Sequence, residues 1–466
     1  MKRCWLGLAG ILIGMCVSVL MQTFMATSLP IIAREFGSMH LYSWVFAAYM
    51  LASTVTIPLF GKLADLIGKR FIYIFGIFFF LIGIFIASFS NSMQMLVACR
   101  ILMGLGAGAI VPAALASIGD LFSEKEMPRI FGAVGITQVV SNIIGPLLGG
   151  LITDNLSWRW GFILFLPLGV LSGILVRLGL PSANVNQKET YLNKLILIKK
   201  LDWVGSLLIS LGICSLVLGL QNIGSSNYIL GFGLFLFSLV ILGISIIIEK
   251  KCPDPVLPMS LLGRSNLLII VSGALILGVV SNAAVVYIPL YIQNFNGTSA
   301  SSTGALMLPM MIAAGLGSGV AGRIPGNKLR IVTRTVWFFI GLASISLAAF
   351  GDLGGENFIA FCAIPIGIGI GILLPVFLSD AQNTADASNR ASIGGLIQLS
   401  RNLGGALGVP MLGIWISRGQ NLTFGLKSIF VSLCVIACLG LLTAFVKKRE
   451  HVDTQVKVCE EGEFKF

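Results

Sequence analysis

The sequence predicts an all-α polytopic membrane protein with fourteen transmembrane helices. Three observations carry this prediction: 56% of the 466 residues are hydrophobic, only 11% are charged, and the apolar residues gather in long runs. Soluble domains carry about 25% charged residues. The composition of this chain therefore excludes a soluble enzyme, a disordered chain and a disulfide-stapled secreted domain. One helix needs about 20 apolar residues to cross a bilayer, so fourteen would use about 280 and leave the remainder for loops.

The apolar runs define fourteen segments in chain order. They cover 5–32, 42–60, 71–90, 94–118, 130–152, 160–178, 203–221, 228–248, 267–293, 300–321, 331–349, 357–378, 391–415 and 427–446. An even number of segments places both termini on the same side of the membrane. The first segment is longer than the apolar core of a signal peptide, so we expect it to be a span rather than a cleaved leader.

The basic residues are distributed unevenly between these segments. If both termini are cytoplasmic, 25 of the 31 Lys and Arg residues lie in cytoplasmic segments, four lie outside, and Arg100 and Arg401 fall within spans. The positive-inside rule therefore predicts a multi-pass protein of the cell (plasma or inner) membrane with cytoplasmic termini. The net charge of +12 arises in these loops. The basic residues form no aromatic-interleaved patch, so we expect no nucleic-acid partner.

The segments group into five parts. Residues 1–178 form an N-terminal six-helix bundle, 179–202 a cytoplasmic linker with an amphipathic surface helix, 203–248 a two-helix insertion, 249–446 a C-terminal six-helix bundle, and 447–466 a cytoplasmic tail. The nine Cys residues lie mostly in apolar runs, so we interpret them as packing residues rather than metal or redox sites.

A compact motif of glycines and charges follows the second segment. We call residues 61–70 the signature segment; it is a predicted gating loop that contains Gly61, Lys62, Asp65, Gly68, Lys69 and Arg70. The two glycines permit a tight turn, and Asp65 can pair with basic residues or with the positive end of a helix. The segment resembles the signature loop of the major facilitator superfamily, in which it latches the cytoplasmic gate. Leu66 stands where that family has Arg. The resemblance implies the major facilitator fold, with two related six-helix bundles.

The fourth segment places a charge inside the membrane. Arg100 precedes Gly104, Gly106 and Gly108, in a pattern that resembles another element of the superfamily. A charge at this depth costs at least a few kcal/mol and needs a partner or a role. We expect partners on the first segment, at Gln22, Thr23 and nearby carbonyl groups, and a structural role for Arg100 stays open.

The fifth segment contains Gly145, Pro146, Gly149 and Gly150. Glycines four residues apart permit close helix packing, and Pro146 adds a bend. This element resembles the motif of antiporters in the superfamily. Residues 20–30, 158–169 and 401–408 resemble further motifs, and with the extra hairpin they indicate the fourteen-span drug:proton antiporter branch. Export rather than import is implied by the resemblance alone.

The chain departs from that branch where proton coupling is expected. The Asp of the family's first span falls on Met21, and two of its Asn residues fall on Ala26 and Phe165. Every acidic residue in the first 450 lies in a loop or at a helix end, so the spans contain two Arg residues and no mid-membrane carboxylate. Proton-coupled transport usually needs a titratable group within the membrane.

Three interpretations stay open. Protons couple through rim residues such as Asp65 and Asp380; the substrate is anionic or neutral, with Arg100 or Arg401 attracting an anion; or transport is uncoupled. The leading hypothesis is multidrug efflux of small amphipathic compounds by alternating access, with proton antiport, and therefore antibiotic resistance. The alternative is an exporter or facilitator of one anionic or neutral metabolite.

The resemblance places a substrate cavity between the two bundles. Its candidate lining residues are Gln22, Thr27, Asn142, Asn282, Tyr287, Gln398 and Asn402, although each could instead form an interhelical hydrogen bond. No convergent acid–base set is evident, so we expect no enzymatic activity and no catalytic residues. We expect a monomer that binds a small molecule, lipid and in the leading hypothesis protons, without a cofactor or metal.

Overall fold

The computed structural model describes residues 2–123, 126–181, 203–224, 227–251, 265–294, 297–325, 328–383, 390–418 and 421–445. The predicted surface helix of the linker and the predicted tail over 447–466 lie outside the described residues. The described chain is helical between short connections, as long apolar runs in a membrane require, because helices satisfy every backbone hydrogen bond internally.

The helices follow one another with short turns. They are α1 (Lys2–Glu35), α2 (Tyr42–Ile67), α3 (Lys69–Ser88), α4 (Met93–Leu121), α5 (Met127–Asn155), α6 (Trp158–Gly179), α7 (Trp203–Gly224), α8 (Tyr228–Lys251), α9 (Ser265–Asn294) and α10 (Ala300–Ala321), followed by α13 (Arg390–Arg418) and α14 (Leu422–Phe445). Between α10 and α13, the stretch Leu329–Asn383 is broken at Gly355, whose φ of 73° and ψ of −175° are not helical. We name the part before Gly355 α11 and the part after it α12. A short 3-10 helix, Met39–Leu41, precedes α2.

The described helices agree with an all-α membrane protein, but they do not establish fourteen spans. Ten are long and apolar enough to cross a membrane, or eleven if α2, bent by 45° between Ile57 and Leu59, is one span. The stretch Leu329–Ala381 is one of these ten, although it contains two helices. The apolar part of α7 is short, and α13 carries three Arg residues. Fourteen spans therefore stay a prediction.

The helices run alternately up and down, and this defines two faces. The terminal face holds the beginning of α1 and the end of α14; there, Lys69 and Asp120 join α3 to α4 at 2.6 Å. The opposite, distal face holds the end of α1, where Glu35 meets Arg159 of α6 at 3.0 Å. By the distribution of Lys and Arg, the terminal face is the predicted cytoplasmic one.

Two sets of helices pack separately before they meet. In the N-half, α1–α6, helix α1 packs on α5 and α6 while α4 packs on α2 and α3. In the C-half, α9–α14, helix α9 packs on α13 and α10 packs on α11–α12. Small residues permit these close approaches: a side chain added at Gly106 would meet the backbone of Gly76 and Phe80 on α3.

The hairpin α7–α8 lies beside the two halves. Its helices pack together through Gly219 and Gly231, where an added side chain would meet the backbone of the facing helix. Helix α7 also packs on α2 and on α13, so it touches both halves. The exposed side chains of α8 include Ile229, Phe232 and Val240, which suits a surface that faces lipid.

Candidate functional site

The two halves meet mainly where α5 packs on α10, α2 on α13, and α1 on α9. At the distal end of the first pair, the Asp154 carboxylate accepts hydrogen bonds from the backbone N–H groups of Ala300, at 3.2 Å, and Ser301, at 2.7 Å. These residues begin α10, where unpaired N–H groups and the helix dipole favour a negative charge. A carboxylate of the N-half thus caps a helix of the C-half.

The glycine motif of α5 lies directly beneath this cap. A side chain added at Gly150 would overlap the backbone of Ala300, and one added at Gly304 of α10 would meet the Pro146 carbonyl. On the other side of α5, Gly145 and Gly149 pack against side-chain oxygens of α1, on Thr23 and Thr27. The motif therefore lets α5 approach α1 and α10 at the same time.

Hydrogen bonds reinforce the distal contact at α1, α2 and α9. The Gln293 side chain donates to the Thr27 carbonyl at 2.7 Å, and Arg34 donates to the Gln293 carbonyl at 2.7 Å. The Tyr42 hydroxyl donates to the Val286 carbonyl at 2.8 Å, also between the halves. The distal face is closed by these contacts and by the α5–α10 pair.

Two predicted cavity residues belong to this closed region. Thr27 is 0% exposed and its hydroxyl donates to the Pro146 carbonyl at 3.2 Å. Tyr287 is also 0% exposed and donates to the Val409 carbonyl at 2.5 Å. Both thus form the interhelical hydrogen bonds that the sequence left open as an alternative, and each faces a neighbouring helix at short range in this conformation.

The halves separate toward the terminal face. An added side chain would meet nothing within 4 Å at Gly132 and Gly135 of α5, at Gly319 of α10, or at Gly395 of α13. The last glycine contact along the α5–α10 pair joins Gly315 to Val139. The structure is therefore closed at its distal face and open at its terminal face.

The start of α5 is held by its own turn on the open side. The Ser123 hydroxyl and backbone N–H donate to the Glu126 carboxylate at 2.8 and 3.0 Å. These hydrogen bonds, first from the hydroxyl and then from the backbone, keep the pKa of the Glu126 carboxyl below its usual value. This end of α5 thus has local support without help from the C-half.

Five of the predicted cavity residues lie at mid-helix and are at least partly exposed. They are Gln22 of α1, Asn142 of α5, Asn282 of α9, and Gln398 and Asn402 of α13. The Gln398 amide donates to the Asn402 side chain at 3.2 Å, and Asn282 donates to the Gly278 carbonyl at 2.8 Å. Both halves thus contribute neutral amide groups, although no hydrogen bond joins the two sets among the described residues. This is the candidate substrate site.

Arg100 is anchored to α2 rather than to α1. Its side chain is 0% exposed, its Nε donates to the Val45 carbonyl at 3.1 Å, and its guanidinium lies 4.5 Å from the ring centre of Tyr49. The prediction that Gln22 and Thr23 are partners of Arg100 was wrong, because α4 turns the face that carries Arg100 toward α2. Its Nη1 and Nη2 atoms are buried without a partner within the described part of the chain.

Arg401 differs from Arg100 in its exposure. The residue as a whole is partly exposed, although its Nε atom is buried without a partner in the described ranges. Its backbone carbonyl lies against Gly278, so α9 and α13 pack closely at this level. Of the two Arg residues that fall within predicted spans, Arg401 is the less buried in this conformation.

The signature segment is formed by two helix ends rather than by a loop. Residues from Gly61 to Ile67 continue α2, Gly68 makes the turn with a φ of 121°, and Lys69 and Arg70 begin α3. The Lys69 ammonium also donates to the Ala116 carbonyl at 3.2 Å, and Arg70 donates to the Leu180 carbonyl at 3.3 Å. These contacts stay within the N-half.

A cleft of about 210 Å³ lies beside this turn, lined by residues that include Asp65, Lys69, Asp120 and Leu180. Asp65 itself is exposed and forms no ion pair in the part of the chain that the structure describes. Its carboxylate is therefore accessible on the open terminal face, next to Gly61 and Lys62 on α2.

Several distal contacts were missed by reasoning from the sequence. Glu35 accepts from the Trp158 indole at 2.6 Å as well as from Arg159, and Asp352 pairs with Lys427 and accepts from Tyr291. The capping role of Asp154 was missed as well. These acids stood at helix ends, but which helix each one reaches depends on the tertiary packing. Among the described residues, no group of three or more His, Cys, Asp or Glu side chains is placed to hold a metal ion.

Comparison with known proteins agrees with this architecture. A family model described as Major Facilitator Superfamily matches residues 11–409. The Multidrug transporter protein MdtP of Bacillus subtilis (strain 168) is 31% identical over 429 residues, which cover 89% of this chain and 76% of that protein. Multidrug resistance protein 3 of the same organism is 29% identical over 411 residues, covering 87% and 78%.

Solved structures share the fold at low identity. The nucleoside transporter NupG has a TM-score of 0.67 at 12% identity, covering 94% of this chain and 98% of its own. A bacterial homolog of the human lysosomal transporter Spinster, in an inward-facing and occupied conformation, has a TM-score of 0.63 at 14% identity, covering 95% and 96%. The family match over most of the chain decides the assignment: this protein is a transporter of the major facilitator superfamily.

Proposed function

We propose that this transporter exports small amphipathic compounds by alternating access, as a multidrug efflux protein with fourteen spans in the plasma or inner membrane. The observation that supports it most directly is the one-sided contact between the halves, closed at Asp154 and open at Gly135. A site between two rigid halves that is open on one face at a time can move a solute without an open pore.

The proposed cycle begins in the state described here. With the terminal face cytoplasmic, a solute reaches the mid-helix amides from inside the cell. Closure of the terminal face then requires that the distal contacts at Asp154 and Gln293 break. In the superfamily the signature segment latches the cytoplasmic gate, so we assign to Asp65 the role of latching the terminal face once the halves close there.

The character of the site supports a broad substrate class. Gln22, Asn142, Asn282, Gln398 and Asn402 are neutral amides that both donate and accept hydrogen bonds. Neutral amides among apolar helices can satisfy differently shaped polar groups without selecting one charge. The two Bacillus relatives are named as multidrug proteins, and we extend that activity to this chain.

Proton antiport is the finer part of the proposal. Met21 is 0% exposed and replaces the family's Asp, so the carboxylates available for coupling lie at the faces. Asp65 and Asp380 near the terminal face and Asp154 at the distal face are the candidates. Protonation of Asp154 would weaken distal closure directly, since its carboxylate contacts the C-half only while the distal face is closed.

The alternative is an exporter or facilitator of one anionic or neutral metabolite, without a proton relay in the membrane. Arg100 gives it little support, because its side chain is sealed against α2. Arg401 supports it better, because this residue is partly exposed and is next to Asn402 in the chain. Under this alternative, Arg401 would attract the anion.

Transport in proteoliposomes with an imposed pH gradient separates these proposals. Cationic, neutral and anionic dyes are supplied in parallel, and initial rates are measured with and without the gradient. We expect gradient-dependent transport of amphipathic dyes irrespective of charge. Rates that ignore the gradient would overturn antiport, and transport of anions alone, lost in Arg401→Ala, would favour the alternative.

A further inference from the structure

The fifth helix of each half contains the same short pattern of a proline and a glycine. On α5, Pro146 is followed one turn later by Gly149. On α13, Pro410 is followed one turn later by Gly413. We call residues 409–413 the α13 element. The two helices hold equivalent places, because α5 is the fifth helix of the N-half and α13 the fifth helix of the C-half.

Each fifth helix is tied at its proline to the first helix of its own half. Thr27 of α1 donates to the Pro146 carbonyl at 3.2 Å, and Tyr287 of α9 donates to the Val409 carbonyl at 2.5 Å. A side chain added at Gly413 would lie 3.0 Å from the Tyr287 hydroxyl, so the glycine leaves room for this bond. The two halves thus use a hydroxyl group in the same way at the same place.

Each fifth helix also meets the second helix of the other half. A side chain added at Gly150 of α5 would overlap the backbone of Ala300 at the start of α10. A side chain added at Gly413 of α13 would lie 2.8 Å from the Cβ atom of Ser43 at the start of α2. The Cβ atom is fixed by the backbone and cannot rotate away, so a larger residue at position 413 would push the halves apart.

Two adjacent buried tyrosines at this contact hold different parts of the molecule. Tyr42 of α2 and Tyr287 of α9 are both 0% exposed, and their ring centres lie 6.3 Å apart. The Tyr42 hydroxyl donates to the Val286 carbonyl at 2.8 Å and so joins the N-half to the C-half. The Tyr287 hydroxyl bonds to Val409 and stays within the C-half. Only the Tyr42 bond therefore has to break when the distal face opens.

The contacts at α5 and at α13 differ in charge. On the α5 side, the Asp154 carboxylate caps α10 from the other half. On the α13 side, the start of α2 at Leu41 has no side-chain cap within the described residues. Tyr42, Ser43 and Gly413 bring no formal charge to this side. The contact at α13 is therefore built from close packing and one hydrogen bond between neutral groups.

We propose that the α13 element, together with Tyr42 and Ser43, is a second closing contact of the distal face, the neutral counterpart of the antiporter motif on α5. This proposal rests on the alternating access of the proposed function, whatever the substrate. Because the halves move as bodies, both contacts break in the same step, and their separate contributions to closure add. Loss of the Asp154 charge then leaves the contact at α13 in place.

Spin labels can report distal closure without any transport assay. In a chain whose native Cys residues are replaced, labelled Cys residues are placed at Asn91 of the N-half and Asn357 of the C-half, both exposed near distal turns. Double electron–electron resonance in nanodiscs then gives the ratio of distal-open to distal-closed molecules. We expect Gly413→Ala to raise this ratio about tenfold through overpacking, as for Gly150→Ala, and the double variant to raise it about a hundredfold.

Matched variants separate closure from general packing. Gly395→Ala adds the same methyl group to α13 where nothing lies within 4 Å, so the ratio should stay constant. Tyr42→Phe should raise the ratio about fivefold, or about 1 kcal/mol, the usual contribution of one hydrogen bond. Tyr287→Phe loses a similar bond inside the C-half. It should lower the midpoint of thermal unfolding and leave the ratio unchanged.

The outcomes distinguish the closing contact from the efflux function. The proposal is wrong if Gly413→Ala behaves as Gly395→Ala does, or if Tyr42→Phe and Tyr287→Phe change the ratio equally. It is also wrong if the double variant opens no further than either single variant. Tyr42→Phe adds no atoms and keeps the test decisive if Gly413→Ala does not fold. If the ratios change as expected while the unmodified protein transports no dye of any charge, the closing contact stands and the efflux function fails.

Discussion

The Asp154 carboxylate accepts a 2.7 Å hydrogen bond from the backbone N–H of Ser301, across the boundary between the two halves of the transporter. A second bond, from Ala300, makes the same carboxylate the cap of α10. Capping residues normally belong to the helix they cap. Here the cap lies on α5, so it exists only while the distal face is closed, and its loss is a necessary step in opening that face.

Replacing Asp154 should weaken distal closure. Asp154→Asn keeps an acceptor oxygen but removes the charge, which is worth about 0.3–1 kcal/mol at a helix N-terminus. A Cys at Ser43, a buried residue at the start of α2 whose side chain lies against Gly413 of the C-half, would then react faster with a water-soluble maleimide added from the distal side. Asp120→Asn, at the terminal face, is the control. An unchanged rate at Ser43→Cys would show that the cap does not hold the gate.

Gly150→Ala should also weaken distal closure, in this case through a steric clash. The added methyl would overlap the Ala300 backbone in the distal-closed state, and overpacking of this kind costs about 1–3 kcal/mol. Gly135→Ala adds the same methyl to the same helix where nothing lies within 4 Å. Reactivity at Ser43→Cys should therefore rise in the first variant and stay constant in the second. The idea fails if the two variants behave alike.

Arg100→Met should reduce stability without altering preference for substrate charge. The Nε hydrogen bond to Val45 and the contact with Tyr49 hold α4 to α2, and hydrogen bonds from charged groups contribute about 1.5–3 kcal/mol. We expect a lower midpoint of thermal unfolding in detergent and equal proportional losses for cationic, neutral and anionic dyes. Arg177→Met, at an exposed position on α6, serves as the control. A selective loss of anion transport would instead make Arg100 a substrate contact.

Asp65→Asn should slow transport while leaving the terminal-open state unchanged. Asp65 is exposed and has no ion pair among the described residues, and such surface substitutions change stability by about 0.5 kcal/mol or less. Any effect must therefore arise in the closed state of the terminal face. We expect an unchanged unfolding midpoint and a lower transport rate. Unchanged transport would remove the latch that we assign to Asp65.

Much of the fold could be predicted from apolar runs, but helix ends could not. The run 42–60 predicts the second helix, yet α2 continues to Ile67 because Lys62 and Asp65 are tolerated at a membrane surface. The predicted loop at Gly61 is helical for the same reason. Gly68, with its positive φ, is the real turn, and glycine is favoured there because residues with a Cβ are strained in that conformation.

The candidate site was less predictable, because polarity does not reveal which way a helix face points. Gln22 and Thr27 lie five residues apart on α1, but Gln22 is partly exposed whereas Thr27 is sealed against α5. Asp154 and Arg100 show the same limit. Each one's partner is a backbone group of another helix, and backbone groups carry no mark in the sequence.

The single-residue break at Gly355 constrains how the C-half can move. Its φ of 73° with a ψ of −175° is a backbone region that is essentially confined to glycine. With no loop between them, α11 and α12 cannot slide apart at their distal ends. Any separation must take the form of a swing about Gly355, in which the terminal ends travel farthest. The pair then acts as a lever with its pivot at the closed face, and a side chain at residue 355 would stiffen that pivot.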